Sequence, residues 1–170
     1  MLSKIYGEAM CHASRLKTII IRPHNLYGPR MGMKHVIPQL IKKIYKASPN
    51  SKLGVFSPEH TRTFCFIKDA VKQIKKLIIM PKIENSLVLN LGTQSPEITM
   101  RELAKMLLKT MKRNDLQIMH LEETLGSPKR RCPQTKLADD YTSIRERTEI
   151  SKGLEETYNW YARNKGIFLA

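Results

Sequence analysis

Apolar residues at Leu2, Ile5, Tyr6, Ala9, Met10 and Ala13 recur every three or four positions, so the chain opens within an amphipathic helix. Lys17 to Arg22 then encloses Ile19, Ile20 and Ile21, a β-branched run of the size of a buried strand. Gly, Pro, Asn and Arg crowd His24 to His35, which predicts a loop. A second helix follows on Ile37, Leu40, Ile41, Ile44 and Tyr45, with Pro38 tolerated in its first turn, where no helical N–H bond is lost. Strand-like pieces at Lys52 to Phe56 and Thr63 to Ile67 flank the turn-like Ser57-Pro58-Glu59.

Ala70, Val71, Ile74, Leu77 and Ile78 predict a third helix that ends before Pro81, and Ser86 to Leu91 a strand closed by Gly92. Thr99 and Glu102 form a T-x-x-E capping box ahead of a helix with Leu103, Met106, Leu107 and Met111 on one face. Leu116 to Met119 is a weaker strand and Leu125 to Pro133 a basic loop. A final helix runs from about Ile150 to Arg163. Helices alternate with short strands throughout, which argues an α/β fold.

A chain of 170 residues is long enough for one ordinary domain with a core of its own. With 41% hydrophobic and 26% charged residues, the composition is that of a globular protein rather than a disordered one. No apolar run approaches the ~18–20 residues a membrane span needs, and the first residues lack the pattern of a secretory signal. A cytoplasmic protein without a membrane partner is expected. Cys11, Cys65 and Cys132 are odd in number and widely spaced, and the five histidines show no H-E-x-x-H spacing. Neither a disulfide scaffold nor a metal site is expected.

The net charge of +15 leaves room for nucleic acid, anionic lipid or a phosphorylated small molecule as partner. Residues 1–85 hold 16 Lys and Arg against 4 Asp and Glu, so most of the excess is in the first half. Pairs such as Lys42-Lys43 and Lys75-Lys76 fall on what read as solvated helix faces. An aromatic content of 6% and the want of a stacking-platform motif argue against a nucleic-acid-binding domain. No G-x-G-x-x-G follows a strand and no P-loop is present. Gly28 and Gly32 share a loop, but Pro29 and Arg30 between them exclude a dinucleotide fingerprint.

Five separated segments carry a resemblance: Ser3-Lys4-x-x-Gly7-Glu8, Arg22-Pro23-His24-Asn25-Leu26-Tyr27-Gly28-Pro29-Arg30, Arg62-Thr63-Phe64-Cys65-Phe66-Ile67-Lys68-Asp69, Asn90-Leu91-Gly92 and Lys129-Arg130-Arg131-Cys132-Pro133. In order and spacing they resemble the carboxy-terminal half of the NAD-dependent epimerase/dehydratase family, the extended short-chain dehydrogenase/reductases that act on nucleotide sugars. Gly153-Leu154-Glu155-Glu156-Thr157 with Trp160-Tyr161 resembles the family's last helix. The likeness runs from Leu2 to about Asn164.

The resemblance implies the last strands of a partial Rossmann-like parallel sheet plus the small α/β substrate domain. Residues 1–30 would be a remnant of the NAD-binding domain. Residues 31–170 would be mainly the nucleotide-sugar region, with short segments returning to the sheet. Lys4 matches the lysine of Y-x-x-x-K, which lowers the pKa of a tyrosine base and holds the nicotinamide ribose. The matching tyrosine would stand immediately before Met1. Pro23 matches a position beside the nicotinamide, and Asn25 a substrate contact whose amide can donate to the sugar nucleotide. Arg62 and Arg131 match the two arginines that pair with the diphosphate, work suited to a planar guanidinium fork. Tyr27 is expected to pack within the loop, and Asp69 to cap a helix.

Some positions depart from the pattern. A glycine-containing turn ahead of the R-x-F motif is replaced by Ser57-Pro58-Glu59-His60-Thr61, and Gln134 stands where an acidic residue is usual. The implied function is a 4-epimerase-like enzyme of UDP- or dTDP-sugars, truncated and inactive by itself. A decarboxylase resembling those of UDP-glucuronate, or a non-catalytic binder of nucleotide sugars, fits the same motifs. A nucleotide-diphosphate sugar is the implied ligand and NAD the implied cofactor. The missing amino-terminal half or a second copy is the implied protein partner.

Overall fold

The computed structural model of the protein describes residues 2–80 and 86–166. Helix α1 (Leu2–Ala13) leads into β1 (Ile19–Pro23) and the two-residue β2 (Leu26–Tyr27). Helix α2 (Val36–Lys46) follows, then β3 (Lys52–Phe56), β4 (Thr61–Thr63) and β5 (Cys65–Phe66). Next come α3 (Ile67–Ile78), β6 (Leu87–Leu91), β7 (Glu97–Thr99), α4 (Met100–Thr110) and β8 (Gln117–Leu121). Strand β9 (Arg130–Arg131) and helices α5 (Lys136–Thr142) and α6 (Ile150–Arg163) close the described chain. The Pro81 at which α3 was expected to stop lies outside the described residues.

The pairings are mostly parallel, as expected for an α/β fold. Strand β1 pairs with β6, β2 with β5 and β3 with β8, all parallel. Strand β4 lies between antiparallel β7 and parallel β9. Among the described residues β6 is the one partner of β1.

The largest core lies between α2, α4, α6 and the β3 to β5 segment. Helix α2 buries Ile37, Leu40, Ile41 and Ile44, the i, i+3, i+4, i+7 stripe of a helix with one apolar face. Leu103 and Leu107 of α4 and Leu154 and Tyr161 of α6 meet it, each fully buried. Each such side chain contributes about 1.5–3 kcal/mol. The capping box forms as expected: the Thr99 hydroxyl accepts from the Glu102 N–H, and the Glu102 carboxylate accepts from the Thr99 N–H. Arg113, just past α4, donates to the Ile44 and Ala47 carbonyls at the end of α2. It also pairs with Asp115, which holds that carboxyl down at about 2. Two smaller clusters lie under β1 and β6, built on Cys65, Ala70 and Leu91, and on Leu77, Leu89 and Ala138.

Three expectations need correction. The predicted strand at Thr63 to Ile67 is two strands and the start of a helix. At Phe64 the chain leaves the β7–β4–β9 sheet and joins β2, and Ile67 already belongs to α3. Asp69 does not cap that helix, whose N-cap is Phe66. Instead its buried carboxylate accepts from the N–H and hydroxyl of Thr148, tying α3 to the segment before α6. The basic loop contains β9, which Arg130 fixes by a bidentate pair with Glu97. Helix α5 was not expected. Tyr27 packs internally as anticipated, donating to the Ile150 carbonyl. Helix α1 buries none of its residues, and Leu2, Ile5, Tyr6 and Met10 are exposed.

Candidate functional site

A cleft of about 900 Å³ opens between the 23–26 segment, the start of α2, strands β3 and β4, and the 124–131 segment. Pro23, Asn25, Arg62 and Arg131 all line it, although they come from three separate stretches of sequence. Lys4 does not line it; that residue lies on the exposed face of α1. The union of these stretches depends on close packing at Gly92. A Cβ there would stand 3.3 Å from both the His24 Cβ and the Pro133 Cγ. The missing side chain lets the segment after β9 lie against the end of β1.

Asn25 occupies a left-handed backbone conformation, φ 44°. Asn tolerates that region better than most residues. Its side-chain amide donates to the Thr63 carbonyl at 2.9 Å, and its own carbonyl accepts from the Cys65 N–H. The amide expected to serve a ligand therefore joins the 23–26 segment to the β4–β5 junction.

Arg62 is 7% exposed and is satisfied by protein groups. Its terminal nitrogens donate to the carbonyls of Thr61, Pro128 and Lys129 and to the Ser127 hydroxyl. Burial, and after it the charge of Arg131, push its pKa down. Arg62 thus anchors the 127–129 segment beside the cleft. Arg131 differs. It stands opposite Arg62 in the β4–β9 register, is exposed, and its guanidinium has no partner among the described residues. The adjacent Arg130 is committed to Glu97, whose carboxyl it holds below the usual range.

The cleft is electrostatically one-sided. Lys34, Lys43, Arg62 and Arg131 line it, and no Asp or Glu does so among the described residues. Its rim includes the start of α2, where the N-cap His35 makes no side-chain cap, so helical N–H groups and the positive dipole end remain available. Helix starts of this kind suit anions. Lys43 also stands 5.2 Å over the Phe56 ring. Lys43, expected on a solvated face, thus borders the cleft, as do Lys34 and His60. A lysine facing a cleft and one facing bulk water carry the same local signal.

The described glycines form no phosphate cradle. A Cβ at Gly28 would strike the side chain of Ile67, so that glycine serves internal packing. Gly32 faces His35, and Gly54 is filled by Leu121. The described residues by themselves do not fit a tight NAD site.

The model of the NAD dependent epimerase/dehydratase family matches residues 1–92. A probable GDP-L-fucose synthase 1 from Oryza sativa subsp. japonica is 26% identical over 96% of this chain and 52% of its own. A UDP-D-apiose/UDP-D-xylose synthase 2 from Arabidopsis thaliana is 33% identical over 61% of this chain and 28% of its own. A UDP-glucuronic acid 4-epimerase from Bacillus cereus was solved in complex with UDP-glucuronic acid and NAD. It matches with a TM-score of 0.83 at 23% identity, over 96% of this chain and 52% of that one. This chain spans about half the length of the Oryza sativa and Bacillus cereus proteins, each of which matches nearly all of it. The match covers more than half of the 170 residues, and the chain belongs to the NAD dependent epimerase/dehydratase family.

Proposed function

We propose that the chain holds the diphosphate of a nucleotide sugar in this cleft, as the substrate-binding part of an NAD-dependent 4-epimerase-like protein. One observation supports the reading above the others: the cleft is lined by four cations and by no carboxylate among the described residues. A diphosphate is the ligand class such a lining favours. Arg131, exposed and unpaired among the described residues, is the first phosphate contact. Arg62 supports it by fixing the 127–129 segment. Asn25 shapes the opposite wall.

In this reading residues 1–30 belong with the cofactor domain and residues 31–170 mainly with the sugar nucleotide. The pairing of β6, at residues 87–91, with β1 is in keeping with short segments of 31–170 returning to the sheet. Lys4 and Pro23 would face the nicotinamide end. The protein partner is an amino-terminal half or a second copy. A cytoplasmic location is part of this proposal; no helix among the described residues is long and apolar enough to cross a membrane.

A second reading is a decarboxylase, favoured by the likeness to a UDP-glucuronic acid decarboxylase 6 from Arabidopsis thaliana, 28% identical over 79% of this chain. A binder without catalysis is a third, favoured by the poor fit of the described residues to NAD. Calorimetry with UDP, UDP-glucose and UDP-glucuronate tests what the three readings share. Binding with heat released is expected, and no heat at millimolar ligand would remove the proposal. Turnover of a UDP-sugar with added NAD then separates an enzyme from a binder.

A further inference from the structure

His60 is 2% exposed, and neither ring nitrogen has a hydrogen-bond partner among the described residues. Leaving a buried polar group unmatched is costly, and such groups are few in folded proteins. Its backbone is held firmly: the His60 N–H donates to the Ser57 carbonyl, and the His60 carbonyl accepts from the Met100 N–H. The imidazole is therefore kept in place without being satisfied there. It lines the cleft and lies in the turn just before β4, two residues ahead of Arg62. On its other side, Nε2 stands 3.5 Å from a carboxylate oxygen of Glu123, outside hydrogen-bonding geometry.

We infer that His60 is a ligand-binding residue of the cleft, which donates an imidazole N–H to a phosphate oxygen of the bound diphosphate. The inference rests on the reading of the cleft as a diphosphate-sugar site and adds a contact to it. An imidazole carries an N–H donor in either protonation state, and a phosphate oxygen is a strong acceptor. Glu123 faces Nε2, and Nδ1 is buried and unpartnered like it, so a bound diphosphate meets the ring by drawing it toward the cleft. The residue sits where the turn before the R-x-F motif departs from the family pattern, so the contact would be particular to this chain.

The test follows amide and imidazole nitrogen shifts of the 170-residue chain by NMR during titration with UDP and, separately, with uridine. In the wild type, UDP is expected to move a ring nitrogen of His60, and uridine to leave it unmoved. H60L is expected to bind UDP about tenfold more weakly, the value of one charge-assisted hydrogen bond. H60Q, which keeps an N–H donor, should recover part of that loss, and uridine affinity should be the same in all three proteins. Equal UDP affinity in wild type and H60L would overturn the inference while leaving the cleft reading intact. So would an equal loss for uridine and UDP. A wild type that binds no UDP would overturn both. Should the variants fail to fold, the wild-type His60 ring decides: a ring unmoved by saturating UDP rules the contact out.

Discussion

Arg62 and Arg131 stand opposite each other in a parallel strand pair, one buried among carbonyls and the other exposed beside it with no partner among the described residues. Their positions predict separable defects. R131A should weaken UDP by about 1.5–3 kcal/mol while leaving the melting temperature unchanged, because it removes a charge-assisted contact and no packing. R62A should weaken UDP and also destabilise the fold by about 1–3 kcal/mol, because the acceptors at residues 127–129 lose their donor. Calorimetry and thermal melts on both variants check this. Equal loss of stability in R131A would contradict the division of labour.

Gly153 is required by the ring of Tyr27. A Cβ there would stand 2.8 Å from the Tyr27 Cζ and 3.1 Å from the Phe66 ring, both fully buried. G153A would raise helix propensity in α6 and yet is expected to lose about 1–3 kcal/mol to overpacking. G166A, with nothing within 4 Å, is the control and should be neutral. Urea unfolding of the two variants decides, and a stabilised G153A would show that the Tyr27 ring moves aside.

These residues also show what the sequence could and could not reveal. Helices α2, α4 and α6 were legible because each buries a single face against one core, so packing writes a 3.6-residue period into the chain. The break at Phe64 was not, since two short strands in different sheets read as one alternating run. Strand β9 has two residues and depends on Arg130 meeting Glu97, 33 positions away. Helix α5 has seven residues and leans on Arg147, which pairs with Asp139 and donates to the Gly92 carbonyl. Neither leaves a local signal. At the site, motif spacing found Pro23, Asn25, Arg62 and Arg131 together. The backbone of His60 is held by hydrogen bonds to Ser57 and Met100, the latter 40 positions away, that no spacing encodes.

Cys65 is 1% exposed, and burial pushes its thiol up to about 11. The thiolate is the reactive form, so a raised pKa keeps Cys65 inert until the pH approaches that value. At pH 8 a disulfide reagent is expected to titrate Cys11 and Cys132, both partly exposed, and to reach Cys65 only after denaturant is added. Three fast-reacting thiols in the native chain would show that the region around Cys65 opens readily.

Helix α1 raises a question of stability. Its apolar residues Leu2, Ile5, Tyr6 and Met10 face solvent, and Glu8 pairs with Arg22 of β1. A helix of this length is marginal in water by itself, and an exposed pair adds little. Strand β1 is paired on one edge only among the described residues. Hydrogen exchange is therefore expected to be fast throughout α1 and intermediate at Ile19 to Ile21. It should be slow in α4 and α6, whose buried faces open only with the whole core. An amino-terminal half, or a second copy seated on α1 and the free edge of β1, should slow exchange there and nowhere else. Strong protection of α1 in a sample that sediments as a monomer would contradict this, because no buried contact of α1 in the structure could account for it.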